Sequence, residues 1–425
     1  MKKSLMAGAV ILSTLAFASC NSEENSIEDY PLNYKITEVK ATKNIPVGCI
    51  LTNPYGDLDD AGRWERLTEE YDAVLGHIGP NMQPAAGHYR FMGSNEEEQD
   101  DYSKEIGRMV EEMKVAGIDF LITPATRERK QLAPDNIDRE DVNFLNIISG
   151  RRKDLSWRND GSMKYAIQIN MQNFSNANGF SSYSSALELR PDTEYTDAEG
   201  NKVTLTMWNR FISYVRSLAQ YMADDTYYCV DGDRPVVLLR EPDKFYVQDV
   251  EGLYADMRNA IKEVTGKNPY IIAQIPNWTI VPRFEMTVMP GKLDAVTERT
   301  LANLNSNMDR YYMWDILMNE NYKYNVQYLK ENHPGMDFIP SVSSGYSGYV
   351  HDMAYDRGDL LPTEADLRKR CWIAKMNLTG NRDMVIVDSF NDWGYANFIE
   401  SSDPSYGKGV GDAFLKAIKS EFKVN

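Results

Sequence analysis

The chain has 425 residues, with 46 Lys and Arg against 63 Asp and Glu, giving a formal net charge of −17. A field of that sign repels polyanions, so the sequence argues against nucleic acid as a partner. With 42% hydrophobic and 11% aromatic residues, the bulk of the chain can bury a core, which excludes intrinsic disorder.

The first element is an address. Lys2 and Lys3 precede an apolar run from Leu5 to Phe17, too short to span a bilayer but suited to the central region of an export signal. Leu15-Ala16-Phe17-Ala18-Ser19-Cys20 resembles a lipobox, with Phe17 where Leu is usual, so Cys20 is expected to become a lipid-modified N-terminus. Ser22-Glu23-Glu24 resembles the acidic export signal of surface lipoproteins in Bacteroidetes. The expected organisation is a signal over residues 1–20, a polar tether over 21–44 and one domain over 45–425. This describes an exported lipoprotein on the outer membrane, at its periplasmic or cell-surface face, touching the membrane through the anchor only. Cys49, Cys229 and Cys371 remain after lipidation. They are odd in number and show no Cys-x-x-Cys spacing, so they read as buried inert thiols rather than disulfides or a zinc site.

From residue 45 onward, short apolar runs of strand length recur: Ile45 to Leu51, Ile118 to Thr123, Lys164 to Ile169, Val236 to Arg240, Tyr270 to Gln274, Leu293 to Val296, Phe338 to Val342 and Met384 to Phe390. Most are apolar on successive residues, the mark of a parallel strand covered on both faces. Helix patterns lie between them at Asp101 to Ala116, Thr204 to Tyr221, Val250 to Val264, Met308 to Glu331, Thr363 to Met376 and Lys408 to Phe422. Thr363 with Glu364 and Asp366 reads as an N-cap and its acidic first turn. Prolines at 276, 282 and 290 predict one irregular crossover. Ser175 to Lys202 reads as an insertion in the third βα loop, and Asp231-Gly232 as a hairpin turn feeding the fourth barrel strand. The alternation implies an α/β chain folded as a (β/α)8 TIM barrel with loop insertions.

Active sites of that fold lie at the C-terminal strand ends, and here those ends are polar. They carry Thr52, Thr123, Asn170 with Gln172, Arg240-Glu241, Gln274 with Trp278, Thr297-Glu298, Ser343 to Tyr346, and Asn391-Asp392-Trp393. Amides and acids bond paired hydroxyls, and an indole face stacks on a sugar ring, so the expected ligand is an oligosaccharide or polysaccharide. Two plainer readings stand beside this: Trp393 as a packing residue, and Glu241 as a surface partner of Arg240. His77 and His88 lack a metal-ligand pattern and read as hydroxyl donors; no metal or cofactor is expected.

The segment Ser389-Phe390-Asn391-Asp392-Trp393-Gly394-Tyr395-Ala396-Asn397-Phe398-Ile399-Glu400, followed by Tyr406-Gly407, resembles the Asn-Glu-Trp-x-Glu-Gly signature of WbsX-like proteins and of glycoside hydrolase family 99, the endo-α-mannosidases and mannanases. Supporting segments run from Gly76-His77 to Pro84, including Gln83, then through Gly87-His88-Tyr89, Val230-Asp231-Gly232 and Ile339-Pro340 to Tyr346. The resemblance implies a glycan-processing barrel with two motif carboxylates. Asp392 takes the first position and Tyr395 the second, which departs from the family. A hydrolase would then pair Asp392 with Glu241 or Glu400, with Asn391, Trp393, Tyr395, His77, Gln83, His88, Tyr89, Asn170, Gln172, Trp278 and Tyr346 around the substrate. Glu400 faces the cleft or caps the next helix. The alternatives are a non-catalytic cell-surface glycan-binding lipoprotein and, with least support, a glycosyltransferase-like role. Neighbouring glycan-uptake proteins are expected partners.

Overall fold

A computed structural model describes residues 34–52, 81–87, 95–128, 137–172, 174, 191–196, 200–245, 247–275, 279–298, 314–346, 360 and 362–424. The strands in chain order are β1 Val47–Ile50, β2 Phe120–Ile122, β3 Lys164–Asn170, β4 Pro191–Thr196, β5 Lys202–Thr206, β6 Cys229–Val230, β7 Arg234–Arg240, β8 Tyr270–Ile275, β9 Ala295–Glu298, β10 Asp337–Ile339, β11 Ser341–Val342, β12 Val385–Val387, β13 Asn391–Asp392 and β14 Asn397–Phe398. The helices are α1 Glu96–Val115, α2 Arg139–Ile148, α3 Met207–Met222, α4 Val250–Thr265, α5 Pro282–Thr287, α6 Trp314–Asn332, α7 Glu364–Met376 and α8 Ala413–Phe422.

Parallel pairing runs β10-β9-β8-β7-β3-β2-β1-β12-β11. β10 and β11 are separated only by Pro340, which has no N–H to give a ladder. Its carbonyl still accepts from Ile386 N–H at 3.0 Å. Because β10 pairs with β9 and β11 pairs with β12, this one interrupted strand shuts the ring. The result is the expected (β/α)8 barrel. Burial runs over successive strand residues: β8 is buried at every position, as an all-parallel strand between a filled interior and a helix layer must be. Gly48 admits the ring of Phe120 from the neighbouring strand, where a Cβ would lie 2.4 Å from Phe120 Cζ. Phe120 in turn stacks on Tyr228 at 3.7 Å.

The helices start where the sequence offers caps. Asn95 accepts from Glu98 N–H at 2.9 Å ahead of three successive glutamates. Thr363 accepts from Asp366 N–H at 3.1 Å, and α4 ends on Gly266 in the left-handed region at φ 74°. Tyr102, Ile106, Met109, Val110 and Met113 form the buried stripe of α1. The proline-punctuated crossover is irregular as expected, holding the short α5 and a 3-10 turn over Met289–Gly291. β6 folds back on β7 through Asp231 and Gly232, both at positive φ; β4 lies in the third-loop insertion, but its partner β5 runs on to Thr206, so the helix expected from Thr204 starts at Met207. The helix α2 escaped the sequence reading, as did the β4–β5 and β13–β14 hairpins, although Asp138 caps α2 and acids fill its first turn. The segment leading into β1 meets the last helix where Ile45 N–H donates to Phe422 C=O at 2.9 Å.

Candidate functional site

A cavity of about 230 Å³ opens at the C-terminal ends of the barrel strands. Its polar wall holds the amides of Gln168, Asn170 and Gln274, the guanidinium groups of Arg127 and Arg240, the carboxyls of Asp388 and Asp141, and Thr52. The register of β3 against β7 sets Asn170 beside Arg240, so neighbouring strands present an amide and a cation to the same space. Thr52, Asn170, Arg240 and Gln274 are expected site residues. Arg127, Asp141, Gln168 and Asp388 were not anticipated. Asp388 lies within an apolar run read only as strand, and Asp141 sits on the unanticipated α2.

Arg127 closes one side. Its backbone N–H donates to Asp141 Oδ2 at 2.6 Å, and its guanidinium reaches Asp138 at 3.1 Å and Glu140 at 2.9 Å. Burial pushes the Asp141 carboxyl up to about 6, while the Arg127 charge pulls it down. Desolvation wins because Asp141 is only 4% exposed. Beneath this wall, buried Arg210 pairs with Glu128.

Glu241 follows Arg240 at the end of β7 in the left-handed region, φ 51°, which non-glycine residues rarely adopt and which clusters at functional sites. The Gln172 side-chain amide lies 3.1 and 2.5 Å from the two Glu241 carboxylate oxygens and donates to both when turned with its nitrogen toward the acid, the orientation that pairs donor with acceptor. Two residues expected together therefore do meet. Arg240 Nε stands 3.9 Å from the Glu241 carboxylate.

The motif segment folds as a hairpin in which Asn391 pairs with Phe398 and Asp392 with Asn397. Asn391 accepts from Thr52 N–H at 2.8 Å, so its amide fastens the hairpin to the end of β1. Asp392 is 7% exposed and follows the cavity-lining Asp388 by four residues. Tyr395 stacks on Tyr346 with centroids 5.7 Å apart, which brings two expected binding residues together. Gly345 lets this loop close, since a Cβ there would meet three backbone atoms of 360, 362 and 396 within 2.8 Å.

Two expectations are corrected. Trp393 is fully buried, its ring covered by Phe398 at 3.5 Å, and its indole N–H donates to Glu400 Oε2 at 2.7 Å. An indole spent on a phenyl ring and a carboxylate has no face left for a sugar. Glu400 is also buried, with Arg108 from α1 on its other oxygen. It belongs to the core, neither in the cavity nor at a helix start. Gln83 donates to Asp403 at 3.1 Å, tying together two loops. His77, His88, Tyr89, Trp278 and Cys20 lie outside the described residues. Cys49, Cys229 and Cys371 are free thiols. Among the described residues, no group of three or more His, Cys, Asp or Glu side chains could hold a metal ion.

Glu298, at the end of β9, is 2% exposed, and its Oε2 meets no hydrogen-bond partner among the described residues. Its register partner is Ile275, whereas the cavity-lining Gln274 pairs with Thr297; alternation places Glu298 behind the cavity wall. Burial raises its pKa well above the ordinary carboxylate range. The folded state therefore holds a proton that the unfolded chain releases near pH 4.3, and this contribution to stability is lost as pH rises. Glu298→Gln removes that titration. The stability of the variant relative to wild type, from urea unfolding, is expected to climb steadily between pH 4.5 and pH 8; a flat difference would contradict the burial.

No family model and no curated protein matches this chain. Among solved structures it is similar to a glycoside hydrolase-like protein, at 22% identity over 94% of this chain and 99% of that one, with a TM-score of 0.65. It is also similar to the GH99 endo-α-mannosidase of Bacteroides thetaiotaomicron in complex with bis-tris propane, at 13% identity over 89% and 96% of the two chains, with a TM-score of 0.52. The barrel is thus family-99-like in fold, in agreement with the motif resemblance.

Proposed function

We propose that this protein is a glycoside hydrolase acting on glycans outside the cytoplasm, with its chemistry carried by carboxylates at the ends of the fourth and eighth barrel strands. The supporting observation is the composition of the cavity: three amides, two guanidinium groups and two carboxyls converge in about 230 Å³. Such a wall can bond the hydroxyls of a sugar ring on several sides at once. Hydrolysis of a glycosidic bond needs one carboxyl that gives a proton to the leaving oxygen and another that is ionised at the opposite face. Asp388 in the wall, Glu241 beside Arg240 and Asp392 in the hairpin that follows are the acids assigned to these roles. Asp141, raised by burial and clamped by Arg127, would hydrogen-bond a sugar hydroxyl in the cavity.

The fold likeness to an endo-α-mannosidase makes an α-mannoside the first substrate to try. Lipidation of Cys20 would hold the enzyme at the outer membrane, beside proteins that take up the released sugars. A second reading, glycan binding without cleavage, draws support from the burial of Glu400, which removes one carboxylate from the expected catalytic set. A glycan panel read for new reducing ends, with wild type, Asp392→Asn and Glu241→Gln side by side, separates the two. Cleavage by wild type, reduced by about 100-fold or more in at least one variant, is the expected result. Oligosaccharide bound yet uncut by all three would establish the binding reading.

A further inference from the structure

The signature segment holds a carboxylate that the proposed chemistry does not use. Glu400 Oε2 accepts the Trp393 indole N–H at 2.7 Å, and its Oε1 takes the Arg108 guanidinium. Arg108 is held independently by Glu105 at 2.5 Å and Glu112 at 2.6 Å, and Glu112 also accepts Ser401 N–H at 2.9 Å. The acid is therefore fixed from behind by α1. In front of it, the Trp393 ring lies flat on Phe398, which closes the hairpin that pairs Asp392 with Asn397. The Asn397 amide bonds outward in two directions: it donates to the Asp388 carbonyl and accepts Ser344 N–H at 3.2 Å. A continuous set of contacts thus runs from α1 to both aspartates of the eighth-strand end.

We infer that Glu400 is a positioning residue, which anchors the Trp393 indole and so fixes the turn that carries Asp392 and is tied through Asn397 to the backbone of Asp388. This rests on the hydrolase reading above for its catalytic consequence. The physical basis is that a carboxylate must be held to well under 1 Å, since a misplacement of about that size costs roughly a hundredfold in rate. A hairpin with two-residue strands cannot supply that rigidity by its ladder alone. The buried indole-to-carboxylate bond, with an ionised acceptor, is stronger than a neutral one and directional.

The roles make opposite demands on the amide variant. Glu400→Gln keeps an acceptor for the indole and leaves Arg108 with two acids, so kcat on yeast α-mannan, or on whichever panel glycan wild type cuts, is expected to fall less than about tenfold, with both limbs of the pH profile in place. Glu400→Leu and Trp393→Phe break the bond and are expected to lower kcat by roughly 10- to 100-fold, with KM within about threefold. A loss beyond about 1,000-fold in Glu400→Gln, with one pH limb gone, would make Glu400 a catalytic acid and overturn the inference. So would full kcat in Trp393→Phe.

Because Glu400→Leu risks misfolding, the indole itself is read as well. In the whole mature chain the Trp393 N–H resonance is expected to exchange slowly with solvent and to shift in Glu400→Gln. Fast exchange in wild type would sink the inference whether or not any glycan is cut. A protected, shifting indole in a protein that cuts no glycan would sink the hydrolase reading and leave Glu400 as the anchor of the turn.

Discussion

Replacing Asp388 with asparagine is expected to lower glycan cleavage by at least about 100-fold, within the 10²–10⁴ range for loss of an acid or base group. Asp388 lines the cavity while only 2% exposed, so it is itself largely desolvated, a state in which charge acts with little screening. Its backbone is held on both sides, by its own N–H to Val342 C=O at 2.8 Å and by the Asn397 amide on its carbonyl. The asparagine variant keeps shape and backbone bonds and removes only the charge. Reducing-end release measured beside a urea unfolding curve checks this. Wild-type cleavage by a folded Asp388→Asn would move the chemistry to Asp392 and Glu241.

Trp393→Ala carries the largest expected cost in stability, about 3–5 kcal/mol, as for large aromatic truncations in a packed core. The ring is fully buried against Phe398, so its removal leaves a cavity that the two-residue strands around it cannot collapse to fill. It also strips the donor from Glu400, leaving a buried carboxylate oxygen without its hydrogen bond. The urea midpoint reads the change. A loss below about 1 kcal/mol would mean that the indole is not seated as described.

The contrast between these two residues marks how far the chain could be read in advance. Each barrel strand was legible because runs such as Ile271, Ile272 and Ala273 are apolar on successive positions, and only a strand covered on both faces asks for that. Asn170, Arg240 and Gln274 were legible as site residues because a polar side chain ending such a run has nowhere to go but the mouth. Asp388 was missed for the converse reason: it continues the run of β12 and was counted as strand. Asp141 was missed with its helix, though Asp138 and two following acids gave a cap signal.

Trp393 and Glu400 were the instructive pair. Seven residues apart, an indole and an acid read equally well as a sugar platform with its catalytic partner or as a buried hydrogen bond. Local sequence contains Phe398 but not its folding back onto the indole, and it does not contain the guanidinium of Arg108, brought from 292 positions away.

What the sequence by itself determined is therefore the barrel and the place of its mouth. Strand period, cap residues and proline breaks are local properties of the chain, and eight alternations leave few ways to bury them. Only the tertiary structure decided which polar side chains face the cavity and which are spent inside the fold. That choice depends on whether a donor or a cation from a distant segment arrives to satisfy the group, because a polar atom out of water must be paired.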